Sequence, residues 1–385
     1  MPHAAHCVTT QARHDCESLD TVDATDMDCA MAYDPFGRGP FPVGVRTAAL
    51  HDSTRDRALP TEIWYPAHDV HRGEDLGAAT QDRYSILIGL PGVPQDAVRD
   101  AAPAPGRFPL VLFSHGYSGH RRQSAFWTTH LASHGYVVAA ADHTGNTTKE
   151  IIEQTLAAQT GKTVPSLLDN VVSSLGERPD DVRFVLAQML DGAAGPLAPH
   201  IDTEHVGMTG HSFGGWTTLT TVHREPRIGA AVVLAPAGGF APAAPNPLAE
   251  TVELAWEREV PTLFLAAALE NVLSPASVVD LYERTRDPKR LLVLENADHF
   301  HFCDRAAEVH EIFRAMPWPG GGAAMAERIP PFAELVAAEA AYDFTRGAGV
   351  AHFDAVLKES DEAGAWLGRE STGALASRGV TVRHR

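Results

Sequence analysis

The stretch from His205 to Val222 constrains the fold more than any other part of this chain. Small and β-prone residues lead into Gly-His-Ser-Phe-Gly, and the residues that follow can form a helix. This order predicts a strand, a sharp turn and a helix, the context in which Gly-x-Ser-x-Gly forms a nucleophile elbow around Ser212. The serine then has a strained backbone conformation, and Gly210 and Gly214 flank it because a Cβ at either position would collide with the turn. The alternative is a Gly-Ser-Gly turn without catalysis.

Apolar runs along the chain predict a mostly parallel sheet of eight strands. Val43–Leu50 and Leu59–Tyr65, joined by a polar turn, predict an antiparallel edge. Six further runs, each followed by helix-like sequence, predict buried parallel strands. These runs are Pro109–Phe113, Tyr136–Ala141, His205–Thr209, Ile228–Leu234, Pro261–Leu265 and Arg290–Leu294. Strands that alternate with helices predict an α/β fold with helices on both faces, and its ligand is expected beyond the carboxyl ends of the strands.

The chain is expected to form one large domain, residues 34–385, behind a short acidic leader, residues 1–33. The leader has no apolar segment of the kind found in signal peptides, so we expect it to be disordered and the protein to be cytoplasmic. Three of the four cysteines lie in the leader and match no zinc-binding spacing, which favours free thiols.

The alternation of strand-like and helix-like sequence is interrupted at residues 144–200. This segment is either a helical lid or a set of ordinary connecting helices. Thr148–Ala158 and Val164–Leu175 have helix-like sequence. A separate helix is predicted to open at Glu177, because Pro179 suits the first turn of a helix. Its apolar residues recur at a spacing of three to four, which predicts that one face packs on the sheet.

Charge and hydropathy exclude some classes of partner. The net charge of −18 argues against nucleic acid as a ligand, because phosphates would be repelled. No run of about 18 apolar residues is present in the sequence, so no membrane span is expected. The composition says nothing about the oligomeric state.

A serine nucleophile needs a base, and His299 is the best candidate. In the order typical of this fold the histidine comes last in the chain, and His299 is the first histidine in the loop after the final predicted strand. His301 lies two residues further on, so the pair, with Cys303 nearby, also resembles a metal couple. No further ligand cluster recurs in the sequence, so we expect neither a metal nor another cofactor.

The acid is expected at the end of an earlier strand, and elimination favours Glu270. The loop that begins at Ala235 offers no carboxylate, whereas the loop after Pro261–Leu265 offers Glu270. The alternative is that Glu270 is an ordinary surface glutamate, since aspartate is the commoner residue in this role.

A tetrahedral intermediate also requires backbone N–H donors. One is expected from Phe213, the residue after the serine. The other is expected from Tyr117, in the glycine-containing loop after Pro109–Phe113. The glycines of this loop are otherwise ordinary turn residues.

Three segments together resemble α/β-hydrolases of the platelet-activating-factor acetylhydrolase group, with dienelactone-hydrolase-like esterases and cutinase-type polyester hydrolases as close relatives. These segments are Phe108–Tyr117, Leu131–His143 and Gly210–Gly215, and the resemblance extends roughly from Val43 to Asp304. It implies the α/β-hydrolase fold, with Ser212 as nucleophile, His299 as base, and Tyr117 and Phe213 as oxyanion donors.

The resemblance is incomplete at the acid. The acetylhydrolases carry this residue after the sixth strand, where the present chain has Ala235. The polyester hydrolases carry it after the seventh, in a Leu-Asp segment that Leu269-Glu270 resembles.

These features predict a cofactor-free serine hydrolase that cleaves carboxylic esters through an acyl-enzyme. The expected substrate is a short-chain acyl, lipid or polyester-type ester. A peptidase or lactonase with the same residues is one alternative. A catalytically silent binding protein on the same scaffold is another, because the aspartate is missing.

Overall fold

A ten-stranded sheet runs through the computed structural model, which describes residues 33–85, 92–192, 194–241, 248–315 and 329–385. The strands are β1 (Val43–Asp52), β2 (Arg57–Pro66), β3 (Arg83–Tyr84), β4 (Val93–Pro94), β5 (Val98–Arg99), β6 (Phe108–Ser114), β7 (Val137–Ala141), β8 (Ile201–His211), β9 (Ile228–Leu234), β10 (Thr262–Ala267), β11 (Lys289–Leu294) and β12 (Val382–His384). The sheet order is β12-β11-β10-β9-β8-β6-β7-β2-β1-β5, and β3 pairs with β4 apart from it.

All eight predicted strands are present. The six strands from β7 to β11 in the sheet order pair in parallel, and β1 and β2 form the antiparallel edge with β2 against β7. Two short strands, β5 and β12, extend the sheet at its two ends. Each has only two or three residues, too few to show the periodicity on which a sequence-based assignment depends.

Helices cover both faces of the sheet. They are α1 (Ala125–Ser133), α2 (Thr148–Gln159), α3 (Leu167–Leu190), α4 (Phe213–Arg224), α5 (Pro275–Arg284), α6 (Ala306–Ala315), α7 (Ala338–Leu357), α8 (Asp361–Ala365) and α9 (Ser371–Ser377). Short 3₁₀ helices span Asp69–His71, Gly195–His200, His299–Phe302 and Phe332–Glu334, and a π-helical turn spans Trp366–Glu370.

Each face of the sheet has its own apolar core. On one face the side chains of α1, α7 and α9, such as Trp127, Phe353 and Leu375, are fully buried against the strands. On the other, α3, α4 and α5 contribute Leu186, Leu219 and Leu281. The alternation of strand side chains between two buried faces explains why these strands are apolar throughout.

The predicted helix boundary at Glu177 is wrong. Helix α3 is continuous over 24 residues, and Pro179 lies in its interior. The helix begins at a capping box of Ser166 and Asp169, well before the proline. The apolar side chains after Pro179, among them Val182 and Val185, pack on the sheet, and this packing outweighs the local cost of the proline.

Residues Tyr33–Arg385 form one compact unit. The predicted leader lies outside the described residues apart from Tyr33. The predicted lid region, residues 144–200, contains α2 and α3, and its role as a lid stays a prediction. Among the helices that the structure describes, none combines the length and apolar character that crossing a membrane requires.

Candidate active site

Ser212 lies at the tip of a sharp turn between β8 and α4. Its backbone has φ 57° and ψ −117°, a conformation that a residue with a side chain rarely adopts. A Cβ on Gly210 would lie 2.3 Å from the carbonyl oxygen of Gly214, and one on Gly214 would lie 1.9 Å from that of Ser114. The two glycines are therefore required by close backbone contacts, and the predicted elbow geometry is present.

His299 lies in the loop after β11, at the start of the short 3₁₀ helix His299–Phe302. The preceding residue, Asp298, caps this turn by accepting a hydrogen bond from the Phe300 backbone N–H at 3.1 Å. The ring of His299 lies 4.5 Å from the ring of His211, the residue before Ser212. The loop after the last parallel strand thus brings the predicted base to the elbow.

Glu270 lies in the loop after β10, and its carboxylate is 3.0 Å from Nδ1 of His299. Oε1 of the same carboxylate accepts hydrogen bonds from the backbone N–H groups of Val272 and Leu273, at 3.1 and 3.0 Å. The side chains of Glu270 and His299 are 1% and 4% exposed. A buried carboxylate that is held by two backbone amides and lies against an imidazole nitrogen is suited to orient that imidazole.

Tyr117 and Phe213 are the two residues predicted to supply backbone N–H donors, and they lie after β6 and at the start of α4. Phe213 is the first residue of α4, where the backbone N–H groups have no partner within the helix. Tyr117 follows Gly116 in the loop after β6, and its ring is half-buried against the core on the α3 and α4 face of the sheet. Among the residues that the structure describes, neither backbone N–H has an acceptor. Both donors are therefore available to a ligand oxygen.

Two residues that sequence reasoning missed connect two loops: the loop after β6 that carries Tyr117 (residues 115–120, the oxyanion loop) and the loop after β11 that carries His299 (residues 295–302, the histidine loop). Gln123 accepts a hydrogen bond from the Gly116 N–H at 2.9 Å and donates one to Nδ1 of His211 at 2.7 Å. Because Nδ1 of His211 accepts, its Nε2 carries the proton and donates to the carbonyl oxygen of His299 at 3.0 Å. Burial lowers the pKa of His211 well below its ordinary value, so the ring stays neutral. His211 is the variable residue of Gly-x-Ser-x-Gly, and no sequence signal marks Gln123.

His301 has a different environment from His299. Its Nδ1 lies 2.8 Å from Asp298, and its Nε2 lies 2.9 Å from the carbonyl oxygen of Val336. Asp298 also accepts from His310 of α6 at 2.5 Å. Both ring nitrogens of His301 thus serve to join the histidine loop to neighbouring segments. Within the described ranges, no group of three or more His, Cys, Asp or Glu side chains is arranged to hold a metal ion.

The third missed residue, Arg178 of α3, lies fully buried behind the oxyanion loop. Its guanidinium donates to the carbonyl oxygen of His115 at 2.7 Å. In the sequence it stands among the charged residues Glu177, Asp180 and Asp181, a pattern that is typical of a solvated surface.

Residues 97–316 of this chain match a protein family described as PET hydrolase-like. Platelet-activating factor acetylhydrolase of Cavia porcellus is 23% identical over 309 residues, which cover 70% of this chain and 68% of that protein. Cutinase est1 of Thermobifida alba is 27% identical over 194 residues, which cover 49% of this chain and 53% of the cutinase. The match with this cutinase therefore spans about half of its length.

The fold is similar to that of a ferulic acid esterase from Streptomyces cinnamoneus. The two structures have a TM-score of 0.55 and 26% sequence identity, over 83% of this chain and 92% of the other. All five predicted site residues lie within the segment that matches the family: Ser212, Glu270, His299, Tyr117 and Phe213.

Proposed function

This chain belongs to the PET hydrolase-like family and is a carboxylic ester hydrolase, and we propose that it acts through an acyl-enzyme formed on Ser212. The observation that carries this mechanism is the 3.0 Å contact between Glu270 and Nδ1 of His299, in the loop next to the elbow. A carboxylate on Nδ1 fixes the tautomer and leaves Nε2 as the nitrogen that takes a proton.

In the proposed reaction His299 removes the proton of Ser212 as the serine oxygen attacks the ester carbonyl. The N–H groups of Tyr117 and Phe213 hold the resulting oxyanion. Glu270 stabilises the imidazolium, which then gives its proton to the departing alkoxide. Water hydrolyses the acyl-enzyme by the same steps in the second half of the cycle.

Glutamate in place of aspartate is compatible with this role because its carboxylate lies at hydrogen-bond distance, 3.0 Å, from Nδ1 of His299. The longer side chain is tied at its far end by the N–H groups of Val272 and Leu273, which limits its rotamers. The arrangement favours a catalytic role over a silent scaffold, because the carboxylate is held where it can orient His299 beside the elbow.

The proposed substrates are apolar esters with a short acyl, lipid or polyester-type acid component. The relatives are named for a platelet-activating factor, for cutin and for ferulic acid, so the family resemblance does not select one ester. The loop that carries Glu270 exposes two apolar side chains, Leu269 at 41% and Val272 at 39%. Apolar residues around the triad acid favour an apolar acyl group over a charged one.

The mechanism is tested by labelling the protein with a fluorophosphonate probe and by measuring turnover of p-nitrophenyl esters from acetate to palmitate. Wild-type protein should be labelled. Ser212→Ala should not be labelled, and its turnover rate should be lower by a factor of roughly 10³–10⁶. His299→Ala should lose turnover to a similar extent. His301→Ala is the matched control, and we expect it to lower stability while it keeps most of the rate.

Two outcomes would contradict the proposal. Labelling of Ser212→Ala would place the nucleophile elsewhere, and a larger loss of rate in His301→Ala than in His299→Ala would reverse the assignment of the base. The order of rates along the ester series then defines the length of the acyl group that the site accepts.

A further inference from the structure

Arg178 is a fully buried arginine without a carboxylate partner among the described residues. It lies on α3 and has no exposed surface. Removing a guanidinium from water is costly unless it gains strong partners. The nearby carboxylate of Asp181 is bound by Arg55, Arg57 and His143, and the described residues include no carboxylate in an ion pair with Arg178. The acceptors that face Arg178 are instead backbone oxygens of the oxyanion loop, and the same guanidinium also lies 3.1 Å from Nδ1 of His115.

The guanidinium holds the peptide that presents the predicted oxyanion donor. One terminal nitrogen of Arg178 lies 2.7 Å from the carbonyl oxygen of His115 and 3.3 Å from that of Gly116. The Gly116 carbonyl and the Tyr117 N–H belong to the same planar peptide and point in opposite directions. A donor that fixes the direction of the Gly116 carbonyl therefore also fixes the direction of the Tyr117 N–H, which points to the opposite side of the peptide.

The tautomer of His115 supports the same peptide. Its Nε2 accepts a hydrogen bond from the backbone N–H of His143 at 3.1 Å, so its Nδ1 carries the proton. Nδ1 in turn lies 2.7 Å from the Gly116 carbonyl oxygen, to which it donates. With Nδ1 protonated, its 3.1 Å contact with the Arg178 guanidinium is not a hydrogen bond, and both groups instead donate to backbone oxygens of the loop. Burial lowers the pKa of His115 well below its ordinary value, which keeps the ring neutral and leaves Arg178 as the cation behind the loop.

Arg178 also contacts the second donor residue. Its guanidinium carbon lies 4.5 Å from the centre of the Phe213 ring, within the range of a cation–π interaction. The remaining nitrogens, Nε and Nη1, are buried without a hydrogen-bond partner among the described residues. Burial lowers the pKa of Arg178 to about 9, so the side chain is still a cation at neutral pH.

We propose that Arg178 is a positioning residue for the oxyanion hole, holding the Gly116–Tyr117 peptide and the Phe213 ring so that both backbone N–H groups face the developing oxyanion. Its charge polarises the peptide it binds, which makes the Tyr117 N–H a stronger donor. This inference rests on the proposed acyl-enzyme mechanism, because the oxyanion exists only during attack by Ser212.

The test compares Arg178→Met and Arg178→Lys with a matched control, Arg258→Met. Arg258 also donates to backbone carbonyls, those of Ile228, Val222 and Glu225, at the opposite end of the strands. For each variant, kcat, KM, the inhibition constant of an alkylboronic acid and the melting temperature are measured. The boronic acid forms a tetrahedral anion on the serine and so reports the affinity for the oxyanion geometry.

We expect Arg178→Met to lower kcat by about 10- to 100-fold with KM within about threefold of wild type, and to weaken the boronic acid by a similar factor. Arg178→Lys keeps the charge and should recover part of both losses. Arg258→Met should lower the melting temperature and leave kcat and the boronic acid affinity unchanged.

The inference is overturned if Arg178→Met lowers only the melting temperature, or if kcat falls while the boronic acid binds as it does to wild type. If Arg178→Met does not fold, the Lys variant decides, because its single point charge replaces the planar guanidinium and should still lower kcat and boronic acid affinity together. Loss of the Ser212 requirement would instead refute the acyl-enzyme itself, so the two failures are distinguishable.

Discussion

At the scale of single residues, the site depends on groups that are buried and held from several directions. Glu270 is tied by two amides and His299 by a carboxylate, while Ser212 is held in its strained conformation by the close approach of Gly210 and Gly214 to neighbouring backbone. Strain of this kind persists only where the surrounding structure fixes it. The chemistry is therefore preorganised before a substrate binds.

The role of Glu270 is tested by Glu270→Gln, which keeps the shape and removes the charge. We expect kcat to fall by roughly 10²–10⁴, because the neutral amide no longer stabilises an imidazolium and can select the wrong tautomer. Asn271→Ala, in the same loop, is the control and should have nearly wild-type kinetics. Wild-type turnover in Glu270→Gln would refute this assignment.

The residues that sequence reasoning identified share one property: their place in the chain order is fixed by the fold. The order of the elements predicts a nucleophile after a central strand, an acid after a later strand and a histidine after the last strand, and these positions are those of Ser212, Glu270 and His299. Gln123, Arg178 and His211 act through contacts with backbone atoms far away in the sequence. No local pattern encodes such contacts, so only the folded structure reveals them.

At the scale of elements, the strands were predictable and the helical segments less so. Each long strand is an apolar run that polar or turn residues bound on both sides. Strands β5 and β12 have only two and three residues, too few to give a recognisable hydrophobic pattern. The sequence predicts the wrong start for α3 because proline is typical of the first turn of a helix, whereas the buried contacts that stabilise the helix beyond Pro179 are long-range.

Close packing between α7 and α1 leads to a prediction about a single methyl group. A Cβ on Gly349 would lie 2.4 Å from the indole ring of Trp127, which is fully buried and cannot move aside. Gly349→Ala should therefore lower the free energy of unfolding by about 1–3 kcal/mol, although alanine favours the helix by about 1 kcal/mol.

The control is Gly373→Ala in α9, where nothing lies within 4 Å of the added Cβ. This variant should gain about 0.5–1 kcal/mol from helix propensity alone. Urea denaturation of both variants measures the two effects. Changes of the same sign would show that the contact with Trp127 does not limit the packing of α7.

At the scale of the whole molecule, the fold buries many histidines in their neutral form. Burial is the main cause that lowers their pKa values, to about 3 for His120 and to about 4 for His143 and His352. The pKa is lowered well below its ordinary value for the same reason in three further histidines that are buried: His115, His130 and His211. They are distributed over both faces of the sheet and the site, so their protonation affects the stability of the entire unit.

The sign of the resulting pH dependence follows from which state binds more protons. Below about pH 6.5 an unfolded histidine takes up a proton, whereas these buried side chains do not until the pH approaches their lowered values. Each one therefore contributes stability that is present above pH 6.5 and is lost as the pH falls toward about 4. Asp181, whose pKa is raised by burial but lowered overall to about 2 by His143 and Arg57, adds a further loss only below about pH 4.

We accordingly expect the free energy of unfolding to fall steeply between pH 6.5 and 4.5, by up to about 1.4 kcal/mol per pH unit for each such histidine. His352→Gln isolates one of them, because glutamine can still donate to the carbonyl oxygen of Pro261, which lies 3.1 Å from Nε2 of His352. Urea denaturation at several pH values should give this variant a shallower slope by about one proton, while His223→Gln, at an exposed position, should keep the wild-type slope. If His352→Gln and wild type lose stability in parallel on acidification, His352 is not held neutral by the fold.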